Sequence, residues 1–244
     1  MTKLPALLAV VLLLLMVAAL WRSRRNPHPC PWWLRWLLEN PHMKAVAGPS
    51  VLIKRMHLEP GMHLLDIGCG PGRLTIPFAR QVGPTGRVIA FDTQERMLQV
   101  LRARLEQAHL ENVEIVRGRA GEGDIQWESV FDRAVLVTVL GEIPNKTRAL
   151  QEMLRALKPG GILSVTEVLP DPDYQSRGTV ARLAADAGFE FVSRHGNLLA
   201  FTLNVRKPAS TALKAGSISP AKPPGQAEEN VPKTALGSGG RNSA

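Results

Sequence analysis

The sequence predicts an α/β protein with a doubly wound, mainly parallel sheet, a C-terminal antiparallel hairpin and one N-terminal transmembrane helix. Short apolar runs alternate with helical patterns between residues 45 and 205, and repeated βα units produce a parallel sheet covered by helices on both faces. The last two strand patterns are separated only by the turn-forming run His195-Gly196-Asn197, which is typical of a hairpin. An apolar run without a charged residue extends from Leu4 to Trp21.

The individual elements follow from apolar periodicity and from the glycines and prolines between them. Apolar runs predict strands at His63–Asp66, Arg87–Phe91, Val113–Val116, Phe131–Val139 and Ile162–Val168. Helical spacing predicts helices at Leu74–Val82, Gln94–Ala108, Lys146–Leu157 and Val180–Ala187. The hairpin comprises Phe189–Arg194 and Leu198–Val205. Proline and glycine at residues 158–161 predict a turn before the fifth strand.

Residues 4–21 form the predicted transmembrane helix. At about 1.5 Å per residue the run is roughly 27 Å long, close to the bilayer core of about 30 Å. Arg22, Arg24 and Arg25 follow it, and positive charge concentrates on the cytoplasmic flank of a spanning helix. We therefore expect a single-pass protein whose catalytic domain faces the cytoplasm. A cleaved signal peptide is the alternative, since Val17-Ala18-Ala19 resembles a cleavage site.

The segments on either side of the 45–205 domain are predicted to differ from it. In the juxtamembrane segment, residues 22–44, Trp32, Trp33 and Trp36 share one face if Pro31 opens a helix. That face either packs on the domain or lies on lipid as an in-plane amphipathic helix. Residues 206–244 are rich in proline, glycine and serine and lack aromatic residues, so we expect a disordered tail.

The distribution of charge argues against a nucleic-acid partner. The chain of 244 residues has a net charge of +9, of which residues 1–44 contribute +5 and residues 206–244 contribute +4. The domain between them is neutral, whereas a protein that grips phosphates needs excess positive charge on its folded face. The two cysteines and the histidines show no metal-ligand spacing, so no metal site is predicted.

A glycine-rich run after the first strand is the sharpest signal for a ligand. Residues Asp66–Gly72 spell Asp-Ile-Gly-Cys-Gly-Pro-Gly, in which glycines at alternate positions let the backbone approach a ligand at the carboxyl edge of the sheet. The dinucleotide fingerprint would require glycine at position 73, where the chain has Arg73. Hydride chemistry with a nicotinamide cofactor is therefore disfavoured. Asp92 ends the next strand, where a carboxylate can accept hydrogen bonds from a ribose diol.

Across residues 45–205 the chain resembles the class I S-adenosylmethionine-dependent methyltransferases. The resemblance rests on Asp66–Gly72, the acidic strand end at Asp92, Phe131-Asp132 opening the fourth strand, and Leu157–Gly161 before the fifth. It implies a Rossmann-like fold of seven strands that ends in a reversed hairpin, with S-adenosyl-L-methionine as the cofactor. It also implies methyl transfer, for which the protein chiefly supplies alignment and a dry site.

The same resemblance implies a set of cofactor-binding residues. Asp66 would help hold the amino group of the cofactor, the glycine turn would approach its methionine part, and Asp92 would bind the ribose hydroxyls beside Thr93 at the adenine. The third-strand loop departs from the family, because Arg119 occupies a position that is often acidic. Ala120 could still offer its N–H there, and Glu122 or Asp124 could substitute. The full predicted set is Asp66, Gly68, Cys69, Gly70, Gly72, Asp92, Thr93, Arg119, Ala120 and Thr138.

No catalytic base is assigned from the sequence. A base is needed only if the acceptor is a neutral hydroxyl, a carbon acid or a protonated amine. Acidic or phenolic side chains expected near the mouth are Glu142, Glu167, Asp171, Asp173 and Tyr174, each of which is more typical of a solvated loop or a helix cap.

The function predicted from these features is a membrane-anchored methyltransferase. It would transfer a methyl group from S-adenosylmethionine to a small, hydrophobic or lipid-like acceptor, such as a quinone precursor. The alternative is a non-catalytic, membrane-tethered assembly or scaffold protein that keeps the methyltransferase fold. A secreted protein with a cleaved leader is disfavoured, because export would separate it from its cytosolic cofactor.

Overall fold

A computed structural model describes residues 45–209, which form a seven-stranded sheet with the strand order β3-β2-β1-β4-β5-β7-β6. Strands β1 to β5 pair in parallel, and β7 pairs antiparallel with both β5 and β6. The strands are β1 (His63–Ile67), β2 (Arg87–Asp92), β3 (Val113–Arg117), β4 (Phe131–Val137), β5 (Leu157–Val168), β6 (Glu190–Gly196) and β7 (Ala200–Arg206). The predicted α/β, Rossmann-like sheet with a C-terminal antiparallel hairpin is confirmed.

Five helices cover the two faces of this sheet within the described residues. They are α1 (Pro49–Met56), α2 (Thr75–Val82), α3 (Glu95–Gln107), α4 (Lys146–Ala156) and α5 (Arg177–Asp186). Leu64 and Val88 pack with apolar side chains of α1 and α2, and Ala90 packs with α3. Leu65 and Ile89, which point the opposite way, pack with α4 and α5. The alternation of strand side chains therefore separates the helices into two layers.

The structure corrects several boundaries. In the hairpin, β6 continues to Gly196 and β7 begins at Ala200, so the turn lies between these two residues instead of at the predicted positions 195–197. Residues 158–161, predicted as a turn, belong to β5, because the N–H of Gly160 donates to the carbonyl oxygen of Lys207 (2.9 Å) and the N–H of Lys207 donates to that of Gly161 (2.9 Å). β4 ends at Val137 instead of Val139, and a 3₁₀ turn, Leu140–Glu142, follows. Helix α5 begins at Arg177 instead of Val180, because the Ser176 side chain accepts from the N–H of Thr179 and caps it.

Several sequence predictions lie outside the described residues. They are the transmembrane helix at 4–21, the juxtamembrane segment at 22–44 and nearly all of the tail at 206–244. Within residues 45–209, none of the helices has the length and apolar character that crossing a membrane requires.

Candidate cofactor and acceptor site

A cavity of about 340 Å³ opens at the carboxyl ends of the parallel strands. Parallel α/β sheets bind ligands at this edge, where the strand order reverses between β1 and β4. Residues from the loops after β1, β2, β3, β4 and β5 line it, so it spans most of the parallel part of the sheet. The lining residues are Ile67, Gly68, Gly70, Phe91, Asp92, Thr93, Gln94, Met97, Gly118, Arg119, Ala120, Glu122, Val137, Thr138, Val139, Glu142, Ile143, Pro144 and Asp171.

The glycine turn after β1 forms one wall. Gly68 has a φ of 71°, and a Cβ built on it would lie 2.4 Å from Cγ2 of Val139. Its N–H donates to the carbonyl oxygen of Phe91 (2.8 Å), which ties the turn to β2. Gly70 has a φ of 54° and no atom within 4 Å of its Cβ position, so its backbone borders open space. Glycine is required at Gly68 both by backbone conformation and by the close approach of Val139.

Asp92 lies on the cavity wall at the end of β2 and is only 6% exposed. Its Oδ2 accepts from the N–H of Gly70 (2.8 Å), and its Oδ1 accepts from the N–H of Gln94 (2.8 Å). Burial raises the pKa of Asp92, and the hydrogen bonds from Gln94 and Gly70 oppose that rise because they stabilise the charged form. Each oxygen has a second lone pair, so this oriented carboxylate can also accept from ligand hydroxyls.

The loop after β3 forms the wall beyond Asp92. Arg119 and Ala120 both line the cavity, as the sequence predicts for a ligand-binding loop. The backbone N–H of Arg119 donates to Oδ2 of Asp124 (2.8 Å), and its exposed guanidinium lies 3.5 Å from Glu122. Of the two acids that could replace the usual acidic residue, Glu122 lines the cavity, whereas the Asp124 carboxylate holds the loop itself.

Thr93 and Thr138, the two predicted threonines, also line the cavity. Thr138 has a φ of 56°, an uncommon conformation for a β-branched residue. Its N–H donates to the carbonyl oxygen of Thr166 (2.8 Å), and its hydroxyl donates to that of Val137 (2.7 Å). These bonds hold the end of β4 in the sharp bend that turns the chain into the 3₁₀ turn.

Three predicted residues lie outside the cavity lining. The Asp66 carboxylate is buried behind the turn, where Oδ2 accepts from the hydroxyl of Thr75 (2.7 Å), and burial raises its pKa to about 6. Cys69 points into the apolar cluster of α3. A Cβ on Gly72 would lie 2.4 Å from Cδ1 of Leu101, so this glycine allows α3 to pack on the turn. Their cofactor contacts stay predictions.

At the β4–β5 end of the cavity, the sequence pattern does not predict the full set of lining residues. Val139, Ile143 and Pro144 supply apolar walls there, and Glu142 and Asp171 supply carboxyl groups.

At the Asp92 end, Gln94 and Met97, which lies in the first turn of α3, extend the cavity lining. Met97 carries a usable sequence signal, since it follows Asp92, the predicted ribose-binding residue, by five positions and lies in the first turn of α3.

Of the five base candidates considered from the sequence, Glu142 and Asp171 line the cavity. Glu167 lies on β5 with 1% exposure; its Oε2 accepts from the N–H of Gln175 (3.2 Å), and burial raises its pKa to about 8. Asp173 is buried beside Gly141, and the hydroxyl of Tyr174 donates to the carbonyl oxygen of Leu198 (2.5 Å). No trio of His, Cys, Asp or Glu within residues 45–209 is arranged to hold a metal ion.

A family model described as a methyltransferase domain matches residues 58–188, more than half of the chain. The chain belongs to this family. The match spans β1 to β5 and the helices between them, so it contains every residue that lines the cavity. The predicted class, an S-adenosylmethionine-dependent methyltransferase domain with S-adenosylmethionine as its cofactor, is confirmed.

Curated relatives match about half of this methyltransferase chain. A demethylmenaquinone methyltransferase of Listeria welshimeri is 37% identical over 112 residues, which are 46% of this chain and 47% of the relative. A protein of the same name from Staphylococcus aureus is 38% identical over 116 residues, 48% of this chain and 47% of the relative. This chain therefore spans about half the length of these relatives.

A solved structure supports the fold. The S-adenosylmethionine-dependent methyltransferase from Aquifex aeolicus superposes with a TM-score of 0.66 at 22% identity, covering 72% of this chain and 98% of that one. At this identity the likeness concerns the fold alone.

The residues around the cavity fit S-adenosylmethionine. Asp92 is a fixed acceptor for a ribose diol, the Gly70 backbone borders open space beside it, and Phe91 and Met97 offer apolar surface for an adenine. The far end, with Val139, Ile143 and Pro144, leaves room for an acceptor.

Proposed function

We propose that this protein transfers a methyl group from S-adenosylmethionine to a small, apolar, quinone-like acceptor. The observation that carries the proposal is the Asp92 carboxylate, which two backbone N–H groups hold at one end of a cavity whose other end has apolar walls from Val139, Ile143 and Pro144. The names of the curated relatives, which are demethylmenaquinone methyltransferases, support an acceptor of the quinone class.

The bound cofactor would supply an activated methyl group on a sulfonium, so the protein must chiefly orient and exclude water. Asp92 and the glycine turn would hold the cofactor at the β1–β2 end. Val139, Ile143 and Pro144 would bury a flat apolar acceptor at the β4–β5 end and keep water out. The apolar character of these three walls is what favours an acceptor without charge.

The proposal includes membrane anchoring through residues 4–21, with the domain on the cytoplasmic side. The support comes from the sequence: the uncharged apolar run and the three arginines that follow it. An anchor would keep the enzyme close to an acceptor that resides in the bilayer and would raise its local concentration.

The test is to incubate full-length protein and labelled S-adenosylmethionine with reduced demethylmenaquinone in detergent micelles, a total lipid extract, or a soluble metabolite extract. We expect label in the quinone and in the lipid extract, and an Asp92→Ala variant should lose it. Label confined to the soluble extract would contradict the apolar acceptor. Cofactor binding without transfer to any of the three would favour the scaffold alternative.

A further inference from the structure

Asp171 and Asp92 lie at opposite ends of the cavity. Asp92 ends β2, and Asp171 follows β5 by three residues. The strand order places β1 and β4 between these strands, so three strand spacings of about 4.8 Å separate the two loops by roughly 14 Å. In the proposed arrangement the cofactor ribose lies near Asp92 and the acceptor lies at the β4–β5 end. The Asp171 carboxylate is therefore on the acceptor side of the cavity.

The turn that follows β5 fixes the Asp171 carboxylate. Its Oδ1 accepts from the N–H of Asp173 (2.8 Å), its own N–H donates to the carbonyl oxygen of Val168 (3.2 Å), and its carbonyl oxygen accepts from the N–H of Tyr174 (3.2 Å). No other hydrogen bond to this carboxylate occurs in the part of the chain that the structure describes. Its orientation is thus set by one oxygen, and the other oxygen is available to a ligand.

The surroundings of Asp171 raise the pKa of its carboxyl group, so its carboxylate is a stronger base than an exposed aspartate. Burial raises its pKa to about 6, and the nearby charge of Asp173 adds to that rise. Glu167, whose pKa burial raises to about 8, is neutral at pH 7 and adds no competing charge. Further ionisable groups on this side, among the described residues, are Lys146, whose ammonium donates to the carbonyl oxygen of Ile143 (2.9 Å), the half-buried Glu142, and Tyr174 with Arg177. Asp171 is therefore ionised at pH 7 in a largely desolvated position.

A second buried carboxyl group lies behind it. Glu167 is 1% exposed, and its Oε1 has no hydrogen-bond partner among the described residues. A buried carboxyl oxygen without a hydrogen-bond partner is destabilising, so Glu167 carries a stability cost close to Asp171.

We propose that Asp171 accepts the hydroxyl proton of the methyl acceptor and so activates it, an inference that rests on the proposed function. As the acceptor loses that proton to the Asp171 carboxylate, its electron pair becomes available at the adjacent ring carbon. That carbon forms the new bond to the methyl group, and the methyl–sulfur bond breaks with its electron pair left on a neutral thioether. The ring hydrogen then leaves to water as a proton while Asp171 returns its proton to the oxygen, so one proton is released overall.

The test compares the full-length wild type with Asp171→Asn, Asp171→Glu and the control Asp186→Asn. Asp186 is an exposed acid at the end of α5, paired with Arg182 and outside the cavity. The probe is reduced demethylmenaquinone in detergent micelles, and S-adenosylmethionine affinity is measured by calorimetry on the same samples. General bases contribute about 10²–10⁴-fold, so Asp171→Asn should lower kcat at least a hundredfold with cofactor affinity within twofold of wild type. Asp171→Glu should recover part of the rate, and Asp186→Asn should match wild type.

The pH profile separates a base from a merely structural residue. In the wild type, kcat should fall as the pH drops through about 6, because Asp171 is then protonated. That acid limb should be absent from the residual activity of Asp171→Asn. A kcat within threefold of wild type, or a loss of rate matched by an equal loss of cofactor affinity, would overturn the proposal.

A binding experiment tests Asp171 independently of catalysis. If the wild type does not methylate the quinone, that result counts against the proposed function and leaves the binding test of Asp171 intact. The probe is 1-naphthol, titrated into protein saturated with S-adenosylhomocysteine at pH 5 and pH 7.5. Wild type should bind it several-fold more tightly at pH 7.5, where ionised Asp171 accepts from the hydroxyl, and Asp171→Asn should bind it equally at both. Equal affinity at both pH values in the wild type would overturn the assignment.

Discussion

The carboxylate of Asp92 accepts a hydrogen bond of 2.8 Å from the backbone N–H of Gly70, across the cavity edge between β1 and β2. One interaction therefore sets both the orientation of the acid and the path of the glycine turn. Because the second oxygen is held by Gln94, the carboxylate cannot rotate away from the cavity without losing two charge-assisted hydrogen bonds. A ligand that uses Asp92 meets a preorganised acceptor.

Replacing Asp92 with alanine should weaken S-adenosylmethionine binding. Loss of hydrogen bonds to a charged acceptor costs about 1.5–3 kcal/mol, so we expect a ten- to hundredfold higher Kd by calorimetric titration. Asp186→Ala, which removes an exposed acid, is the matched control and should bind like wild type. If Asp92→Ala is folded by circular dichroism and binds with unchanged affinity, Asp92 does not contact the cofactor.

Replacing Gly68 with alanine should destabilise the fold more than replacing Gly70. Both have a positive φ, 71° and 54°, which costs an alanine about 1–2 kcal/mol. Only at Gly68 would the new Cβ overlap Val139, whose branched side chain is stiff, which adds about 1–3 kcal/mol. Urea unfolding of the two variants measures the difference, and an equal loss of stability in both would show that the Val139 contact relaxes freely.

Glu167 should make the protein less stable as the pH rises. Its folded pKa of about 8 lies above the ordinary value of 4.5, so the folded state holds a proton that the unfolded state releases between these values. From pH 5.5 to 8.5 the wild type should therefore lose about 3 kcal/mol more stability than Glu167→Gln. Urea unfolding at the two pH values tests this, and parallel losses in both proteins would mean that Glu167 is ionised when folded.

Removing residues 1–25 should release the protein from membranes. Burial of an uncharged apolar run does not depend on screened charge, so the full-length protein should resist high salt and alkaline carbonate. The truncated form should be extracted by either treatment, while its cofactor affinity stays the same because the cavity lies within residues 67–171. A mature N-terminus near Leu20, read by mass spectrometry, would instead show a cleaved signal peptide.

Predicted site residues that line the cavity include several with a purely local sequence signal. Gly68, Gly70 and Asp92 follow directly from strand ends that the apolar pattern reveals, and all three line the cavity. The prediction also contains Cys69 and Gly72 from the same glycine-rich run, yet both face α3. Successive residues of a tight turn point in different directions, and apolar periodicity does not predict which of them face the cavity.

The start of β5 shows that a local sequence signal can also mispredict backbone structure. Residues 158–161 carry a local turn signal of proline and glycine, but they extend β5 because Lys207, nearly fifty residues later, pairs with them. The sequence pattern does not predict helix α1 for a related reason: only two of its apolar residues, Leu52 and Met56, are buried, and their burial comes from α2 and the sheet.

The sequence by itself determined the succession of strands and helices along the chain, the carboxyl edge that carries the cavity, and Asp92 and the glycines at one end of that cavity. These depend on short-range patterns of apolar, glycine and acidic residues. Only the tertiary structure decided which of the later acids reach the cavity and which protonation state each adopts. Asp171 faces the cavity and Glu167 lies sealed within β5 because chain segments distant in sequence enclose them, and desolvation by those segments sets their pKa values.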